Sequence, residues 1–74
     1  MKFCLYRGPN DEMKLVGTYD SIKEANAAMV HMLANEGIHP YYYRVSGDPE
    51  GNQWIDYGSH SSFFEIRVKE EDYD

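Results

Sequence analysis

Hydrophobic and polar residues alternate in two stretches near the start of the chain, residues 2–7 and 13–18. A period of two is typical of β-strands that have one face against a core. Between the stretches, Gly8-Pro9-Asn10-Asp11 is a dense turn signal, so the pattern predicts a β-hairpin. The alternation puts these residues on one face of their strands: Phe3 and Leu5 in the first, and Met13, Leu15 and Gly17 in the second.

The next segment has the period of an amphipathic helix. Its apolar positions form one stripe: Ile22, Ala25, Met29, Met32 and Leu33. Ser21-Ile22-Lys23-Glu24 fits a capping box, in which the Ser21 hydroxyl accepts a hydrogen bond from the Glu24 amide. Gly37 supplies a left-handed stop and Pro40 prevents the helix from resuming. We therefore predict a helix over residues 22–36.

Three further β-rich stretches follow, over residues 41–46, 53–57 and 62–69. Turn signals separate them at residues 47–52 and 58–61. The order ββαβββ predicts a two-layer α+β domain over residues 1–69, with one helix on one face of a mostly antiparallel five-stranded sheet. Residues 70–74 are expected to form a flexible acidic tail.

One helix covers only one face of such a sheet. Alternation puts Phe64, Ile66 and Val68 on the helix side, and it assigns Tyr41, Tyr43, Val45, Ile55 and Tyr57 to the core. The outer face then carries Tyr42, Arg44, Trp54, Asp56, Phe63, Glu65 and Arg67. Trp, Tyr and Arg are typical interface anchors, but such residues also shield open sheets without binding anything. Protein contact, self-shielding and base stacking are all open at this point.

Composition limits the classes of partner. The 74 residues carry a net charge of −6, which disfavours a nucleic-acid binder or an anionic membrane surface as partner. Four of the thirteen acidic residues lie in the tail, so the rest of the chain is close to charge balance. Cys4 is the only cysteine, which excludes an internal disulfide, and we expect it to be a small buried side chain. The absence of a signal peptide pattern and of a long apolar run leads us to expect a cytoplasmic protein.

A cluster of Asp56, Ser59, His60, Ser61 and Ser62 raises the question of catalysis. Residues this close in sequence diverge along a strand or turn, and no Gly-x-Ser-x-Gly elbow is present. We interpret the cluster as a tight loop in which Gly58 takes a positive φ, and we expect no enzyme activity and no catalytic residue. The three histidines, His31, His39 and His60, lack metal-site spacing, so no metal or other cofactor and no small-molecule substrate is expected.

The segment Asp56-Tyr57-Gly58-Ser59-His60-Ser61-Ser62-Phe63-Phe64-Glu65-Ile66 resembles the end of small bacterial and phage-type proteins of unknown function. The only other similarity is a generic helix start, Gly17-Thr18-Tyr19-Asp20-Ser21. The resemblance implies a small accessory protein of bacterial or mobile-element origin. It implies no activity and no catalytic residues.

Two functions remain as hypotheses. The first is a non-enzymatic protein-interaction domain that associates with another protein or with itself, through Tyr42, Arg44, Trp54, Phe63 and Arg67. A homodimer could join two bare sheet faces or two edge strands. The alternative is an acidic phage-type inhibitor that occupies a nucleic-acid site on a bacterial DNA-processing or defence enzyme. Such an inhibitor would need carboxylates along one face, whereas these acids divide among turns and the tail.

Overall fold

The computed structural model describes residues 1–9, 11–59 and 62–69 of the chain. Five strands and one helix follow one another in this order: β1 (Lys2–Gly8), β2 (Lys14–Tyr19), α1 (Ile22–Asn35), β3 (Arg44–Gly47), β4 (Gln53–Asp56) and β5 (Phe63–Lys69). The α+β class and the ββαβββ order are confirmed. The predicted tail over residues 70–74 lies outside the described residues.

The strands form one sheet in the order β2-β1-β5-β4-β3, and every neighbouring pair is antiparallel. The first and last strands lie side by side near its middle, paired along their whole length from Lys2↔Lys69 to Gly8↔Phe63. The predicted hairpin of β1 and β2 is confirmed. A second hairpin, β3 and β4, extends the sheet on the other side of β5.

The helix begins and ends as its sequence predicts, within one residue. Ser21 is the N-cap, and its hydroxyl oxygen accepts a hydrogen bond from the Glu24 amide at 3.1 Å. Glu36 caps the other end, and Gly37 follows at φ +75°, which is the left-handed conformation that glycine adopts at little cost. The apolar stripe faces the sheet, with Ala25, Met29 and Leu33 buried.

The helix lies over β1, β2 and β5 and not over β3 and β4. Five side chains from the helix and the sheet are fully buried and form the centre of the core: Leu5, Leu33, Ile55, Phe64 and Ile66. Tyr57 is also buried, which confirms the inward assignment of Ile55 and Tyr57 in the fourth strand. The core therefore sits beneath one part of the sheet, and the hairpin of β3 and β4 extends beyond it.

The third strand differs from its prediction. The strand begins at Arg44 rather than at Tyr41, and Tyr41, Tyr43 and Val45 are 103%, 38% and 52% exposed. Register places Val45 beside Ile55 on the helix side of the sheet, but α1 does not reach that side of β3. Assigning these three residues to the core is therefore wrong, because all three are exposed and α1 does not extend over β3.

The second strand contains a β-bulge that breaks its simple alternation. Leu5 pairs with Gly17, whereas Tyr6 pairs with Leu15, so that Val16 is an additional residue on β2. Directly opposed residues share a face, so Gly17 lies on the helix side and Leu15 on the other side. The prediction that Leu15 and Gly17 share a face is wrong for this reason.

Candidate interaction surface

One side of the sheet points away from α1, and we call it the open face. Strand register assigns these residues to it: Lys2, Cys4, Tyr6, Gly8, Leu15, Thr18, Arg44, Ser46, Trp54, Asp56, Phe63, Glu65, Arg67 and Lys69. The outward assignments of Arg44, Trp54, Asp56, Phe63, Glu65 and Arg67 agree with this register. No helix or strand of the described residues packs over this face.

One row of side chains runs across all five strands of the open face. Neighbouring members are paired in register, and the row reads Ser46, Trp54, Glu65, Tyr6 and Leu15 from β3 to β2. It carries aromatic rings on β4 and β1 and a carboxylate between them on β5. Leu15 at its end is exposed. The row is thus mostly apolar, with a single charge near its middle.

Trp54 and Phe63 form the main aromatic contact of the open face. Their ring centroids are 5.1 Å apart and the planes are tilted by 34°, within the range of favourable aromatic pairs. Both rings are half-buried. Phe63 lies opposite Gly8 on β1, so no side chain from that position covers its ring. The pair therefore presents apolar area to solvent from two adjacent strands.

Arg67 bridges the acidic and aromatic parts of the same face. Its guanidinium lies 5.5 Å from the centre of the Tyr6 ring, and its Nε is 3.1 Å from Glu65 Oε2. Arg67 is mostly exposed whereas Glu65 is not, so the ion pair is partly shielded from water on one side only. These contacts hold the Arg67 guanidinium beside the Tyr6 ring and Glu65, and arginines held in this way are common interface residues.

Arg44 and Tyr42 lie at the β3 side of the open face. Arg44 is opposite Asp56 in register, and its guanidinium is 5.9 Å from the centre of the Tyr42 ring. Tyr42 precedes β3 and is 52% exposed. The five predicted contact residues are therefore divided between two places, with Trp54, Phe63 and Arg67 near the middle of the face and Tyr42 and Arg44 at its end.

Two contributors to this face were absent from the sequence prediction. Tyr6 contacts Arg67, and the alternation of the first strand already separated Tyr6 from Phe3 and Leu5. Leu15 was grouped with Gly17 on one face of its strand, because the bulge at Val16 has no clear sequence signal. The alternation in β1 was thus sufficient to find Tyr6, whereas Leu15 required the structure.

The turn between β3 and β4 is organised by Asp48 and Asn52. Asp48 Oδ1 accepts hydrogen bonds from the amides of Glu50 and Asn52, and Asp48 Oδ2 accepts one from Asn52 Nδ2 at 3.1 Å. These bonds, that of the Asn52 side chain first, lower the pKa of Asp48. Asn52 Oδ1 in turn accepts from the Val68 amide at 2.8 Å. This turn is therefore tied to β5.

An open depression of about 230 Å³ lies between this turn and the aromatic contact. Its lining residues are Ser46, Gly47, Asp48, Asn52, Gln53, Trp54 and Glu65. The depression is shallow and mixed in polarity, unlike the enclosed apolar pockets that bind most small molecules. We therefore describe it as a shallow surface depression of the open face and not as a ligand pocket.

The segment that suggested catalysis is organised locally where the structure describes it. Asp56 Oδ1 accepts a hydrogen bond from the Gly58 amide at 2.9 Å, and Gly58 has φ +93°, as predicted. His60 and Ser61 lie outside the described residues. The Asp56 carboxylate is thus engaged in forming its own turn, which agrees with the interpretation of this segment as a loop.

Two other sequence candidates can be placed. Cys4 is buried, as predicted, with its sulfur 4.0 Å from the Thr18 hydroxyl. His31 and His39 are exposed, and no group of three or more His, Cys, Asp or Glu side chains within residues 1–9, 11–59 and 62–69 is arranged to hold a metal ion. The helix of the described chain is too short and too polar to cross a membrane.

Fold and surface together define a two-layer α+β protein with one sheet face left open. A scan against protein-family models and searches of curated proteins and of solved structures find no match to this chain.

Proposed function

We propose that the protein is a small, non-enzymatic interaction domain that acts by protein contact through its open face, first with a second copy of itself. The observation that carries this proposal is the half-buried Trp54 and Phe63 pair on a sheet face that α1 does not cover. Burying such rings against another protein removes apolar area from water, which is the main favourable contribution to association.

The charges of the open face suit a second copy. Arg44 and Arg67 lie on it together with Asp56 and Glu65, so both signs of charge are present. Register also places Lys2 and Lys69 at one end of the face, where Lys2 pairs with Asp20. A two-fold interface brings the same patch of both copies together, and a patch that carries both signs can place opposite charges against each other. A face that carried charges of one sign only would repel itself.

The area of the open face indicates how strongly two copies can associate. Strands are about 4.8 Å apart and rise about 3.3 Å per residue, so five strands of up to seven residues give a face of roughly 500 Å². Two copies would bury on the order of 1,000 Å², which is near the lower limit for specific interfaces. We therefore expect reversible association that requires a wide range of concentrations to observe.

The alternative, an acidic inhibitor of a nucleic-acid enzyme, has less support. Such an inhibitor needs carboxylates spaced along one face, facing outward. Three carboxylates of the described residues lie against basic side chains instead, in the pairs Lys2 with Asp20, Arg7 with Glu36, and Arg67 with Glu65. Pairing of this kind reduces the field that would imitate a phosphate backbone.

Sedimentation equilibrium over a wide dilution range, at low and high salt, tests the proposal. We expect association that persists at high salt, and we expect Trp54→Ala to weaken it about tenfold or more while the helical circular dichroism is unchanged. Val30→Ala, which truncates an exposed apolar residue of α1, is the matched control and should have no effect. Unchanged association of the Trp54 variant, or association lost at high salt, would contradict the aromatic contact.

A further inference from the structure

The outer edge of β3 is the most exposed strand edge in the described part of the molecule. The strand pairs with β4 alone, and every residue from Tyr41 to Gly51 is exposed. β3 is hydrogen-bonded on one side only and α1 does not cover it, so the backbone groups of its outer side are exposed. An additional strand on the free side of β3 would therefore stabilise this hairpin.

Hydrogen bonding within the hairpin determines which groups of β3 point outward. The Asp48 amide donates to the Asn52 carbonyl at 3.1 Å, so the backbone of residue 48 faces β4. Antiparallel pairing alternates this direction along a strand, so residues 44 and 46 also face β4. The amide and carbonyl groups of Val45 and Gly47 consequently face the free edge.

The opposite edge of the sheet is a poorer template for strand addition. It is formed by β2, where the bulge at Val16 interrupts the regular alternation of outward groups and Lys14 adds a charge. Bulges and lysines on edges are known means of preventing strand addition. By contrast, Arg44–Gly47 contains neither a bulge nor a proline.

Only a few symmetric pairings fit the edge of β3. To form hydrogen bonds, the residues whose backbone groups face the free edge, such as Val45 and Gly47, must lie opposite each other in the two copies. This condition is met only when the two-fold axis passes through a residue and not between two residues. An axis at Arg44 would oppose two arginines, and an axis at Gly47 would set Val45 against Pro49, which has no amide hydrogen. Axes at Val45 and at Ser46 remain.

Charge distinguishes the two remaining axes. With the axis at Ser46, Arg44 of one copy lies opposite Asp48 of the other, and this pairing occurs twice. Within the described residues Arg44 forms no ion pair, and its guanidinium rests on the Tyr42 ring. Asp48 accepts three hydrogen bonds, and an ionised carboxylate can accept about four. With the axis at Val45, Arg44 would face only Ser46.

We propose that a second copy of this chain adds to the free edge of β3 as an antiparallel strand, with the two-fold axis at Ser46 and Arg44 of each copy opposite Asp48 of the other. Val45 and Gly47 then form two hydrogen-bonded residue pairs across the axis. Both sheets join into one, and both open faces lie on the same side of it. The Ser46 side chains meet between the two Trp54 residues, in the row that crosses the open face.

This edge contact is separate from the contact of open faces in the proposed function. If both exist, edge-paired dimers stack through their open faces into a larger closed assembly. A chain that lacks one contact stops at a dimer made by the other. The two contacts can therefore be removed one at a time, and failure of one is distinguishable from failure of the other.

Val45→Pro tests the edge contact. It removes an outward amide hydrogen but no bond to β4, and proline is tolerated at such edge positions. We expect at least about a tenfold loss of edge association by sedimentation equilibrium, measured in the Trp54→Ala background to isolate this step. Val45→Ala keeps the amide and is the matched control, which should associate normally. Equal association of the Pro and Ala variants, both with unchanged circular dichroism, would overturn the proposal.

Disulfide trapping tests the register without weakening the contact. At the proposed axis Ser46 opposes Ser46 with Cα atoms about 4.5 Å apart, which suits a disulfide. We expect Ser46→Cys to form cross-linked dimers at least about ten times faster than Val45→Cys, with the unsubstituted chain as the control for Cys4. Faster cross-linking of Val45→Cys would overturn the Ser46 axis, and no cross-linking of either would overturn edge pairing.

Discussion

Arg7 on β1 holds the capping residue of the helix, Glu36, through two hydrogen bonds. Arg7 Nη1 is 2.5 Å from Glu36 Oε2, and Nη2 is 2.7 Å from Oε1. The same guanidinium lies 5.2 Å from the centre of the buried Phe64 ring. One arginine thus connects the end of α1 with the first and last strands. Its bonds lower the pKa of Glu36 below the ordinary value of 4.5 and raise that of Arg7.

Acid is expected to destabilise the protein through these carboxylates. The Lys2 ammonium lowers the pKa of Asp20, and the turn bonds lower that of Asp48, both below the ordinary 3.8. A carboxylate with a lowered folded-state pKa adds stability that is complete above its unfolded value and is lost as the pH falls through the folded value. Urea unfolding from pH 7 to 3 should therefore show decreasing stability below about pH 4.5.

Glu36→Gln isolates the contribution of that carboxylate. The variant should be less stable than the parent chain at pH 7, and the difference should shrink as the pH falls through the lowered pKa of Glu36. Glu50→Gln changes an exposed turn carboxylate and serves as the control. A difference between parent and Glu36→Gln that is the same at every pH would contradict the ion pair as its source.

Asn52→Ala is expected to destabilise the protein by about 1–3 kcal/mol. The substitution removes the oxygen that accepts from the part-buried Val68 amide and the amide group that donates to Asp48. Urea unfolding at neutral pH measures the loss. Glu50→Ala in the same turn should have almost no effect, since only its backbone amide is used. Similar stability of the two variants would show that the side-chain bonds of Asn52 contribute little.

Two glycines with positive φ should respond differently to alanine. At Gly8, with φ +151°, an added Cβ would lie 2.5 Å from the Glu12 carbonyl oxygen, so the hairpin turn must shift. At Gly37, with φ +75°, nothing lies within 4 Å of the added atom, and only the cost of a left-handed alanine remains, roughly 1–2 kcal/mol. Thermal unfolding should therefore rank Gly8→Ala as clearly less stable than Gly37→Ala. The reverse order would contradict the close approach at Gly8.

Ser21→Ala should cost about 1 kcal/mol, because the Glu24 amide loses its acceptor at the start of the helix. Ser21→Asp retains an acceptor and should restore most of the stability. Both can be compared with Lys23→Ala, an exposed change in the same turn. If Ser21→Asp were as unstable as Ser21→Ala, the cap would not be the cause of the loss.

Elements with strong local signals were predictable from the sequence. Ser21, Gly37 and the apolar stripe define the helix, since caps and period depend on adjacent residues alone. The exposure of Tyr43 and Val45 was not predictable, because it depends on where α1 crosses the sheet. Alternation shows which side of a strand a residue takes but not whether anything covers that side.

Part of the open face was predictable from the sequence in the same way. Trp54, Phe63 and Arg67 take the expected side because their strands alternate regularly. Tyr42 precedes the strand, and Leu15 changes sides at the bulge, so neither position followed from alternation. The contact of Arg67 with Tyr6 joins residues from opposite ends of the chain, and only the pairing of β1 with β5 reveals it.

The bulge at Val16 also bears on the solubility of the protein at high concentration. A sheet with two regular edges can add copies at both sides, and this is how fibres grow. Here the regular ladder is interrupted at the β2 edge, and only the β3 edge remains regular. Strand addition at a single edge ends after one partner has joined. Under the proposed edge pairing, the bulge in β2 would limit strand addition to the β3 edge, so that edge-paired copies stop at a dimer instead of growing into a fibre.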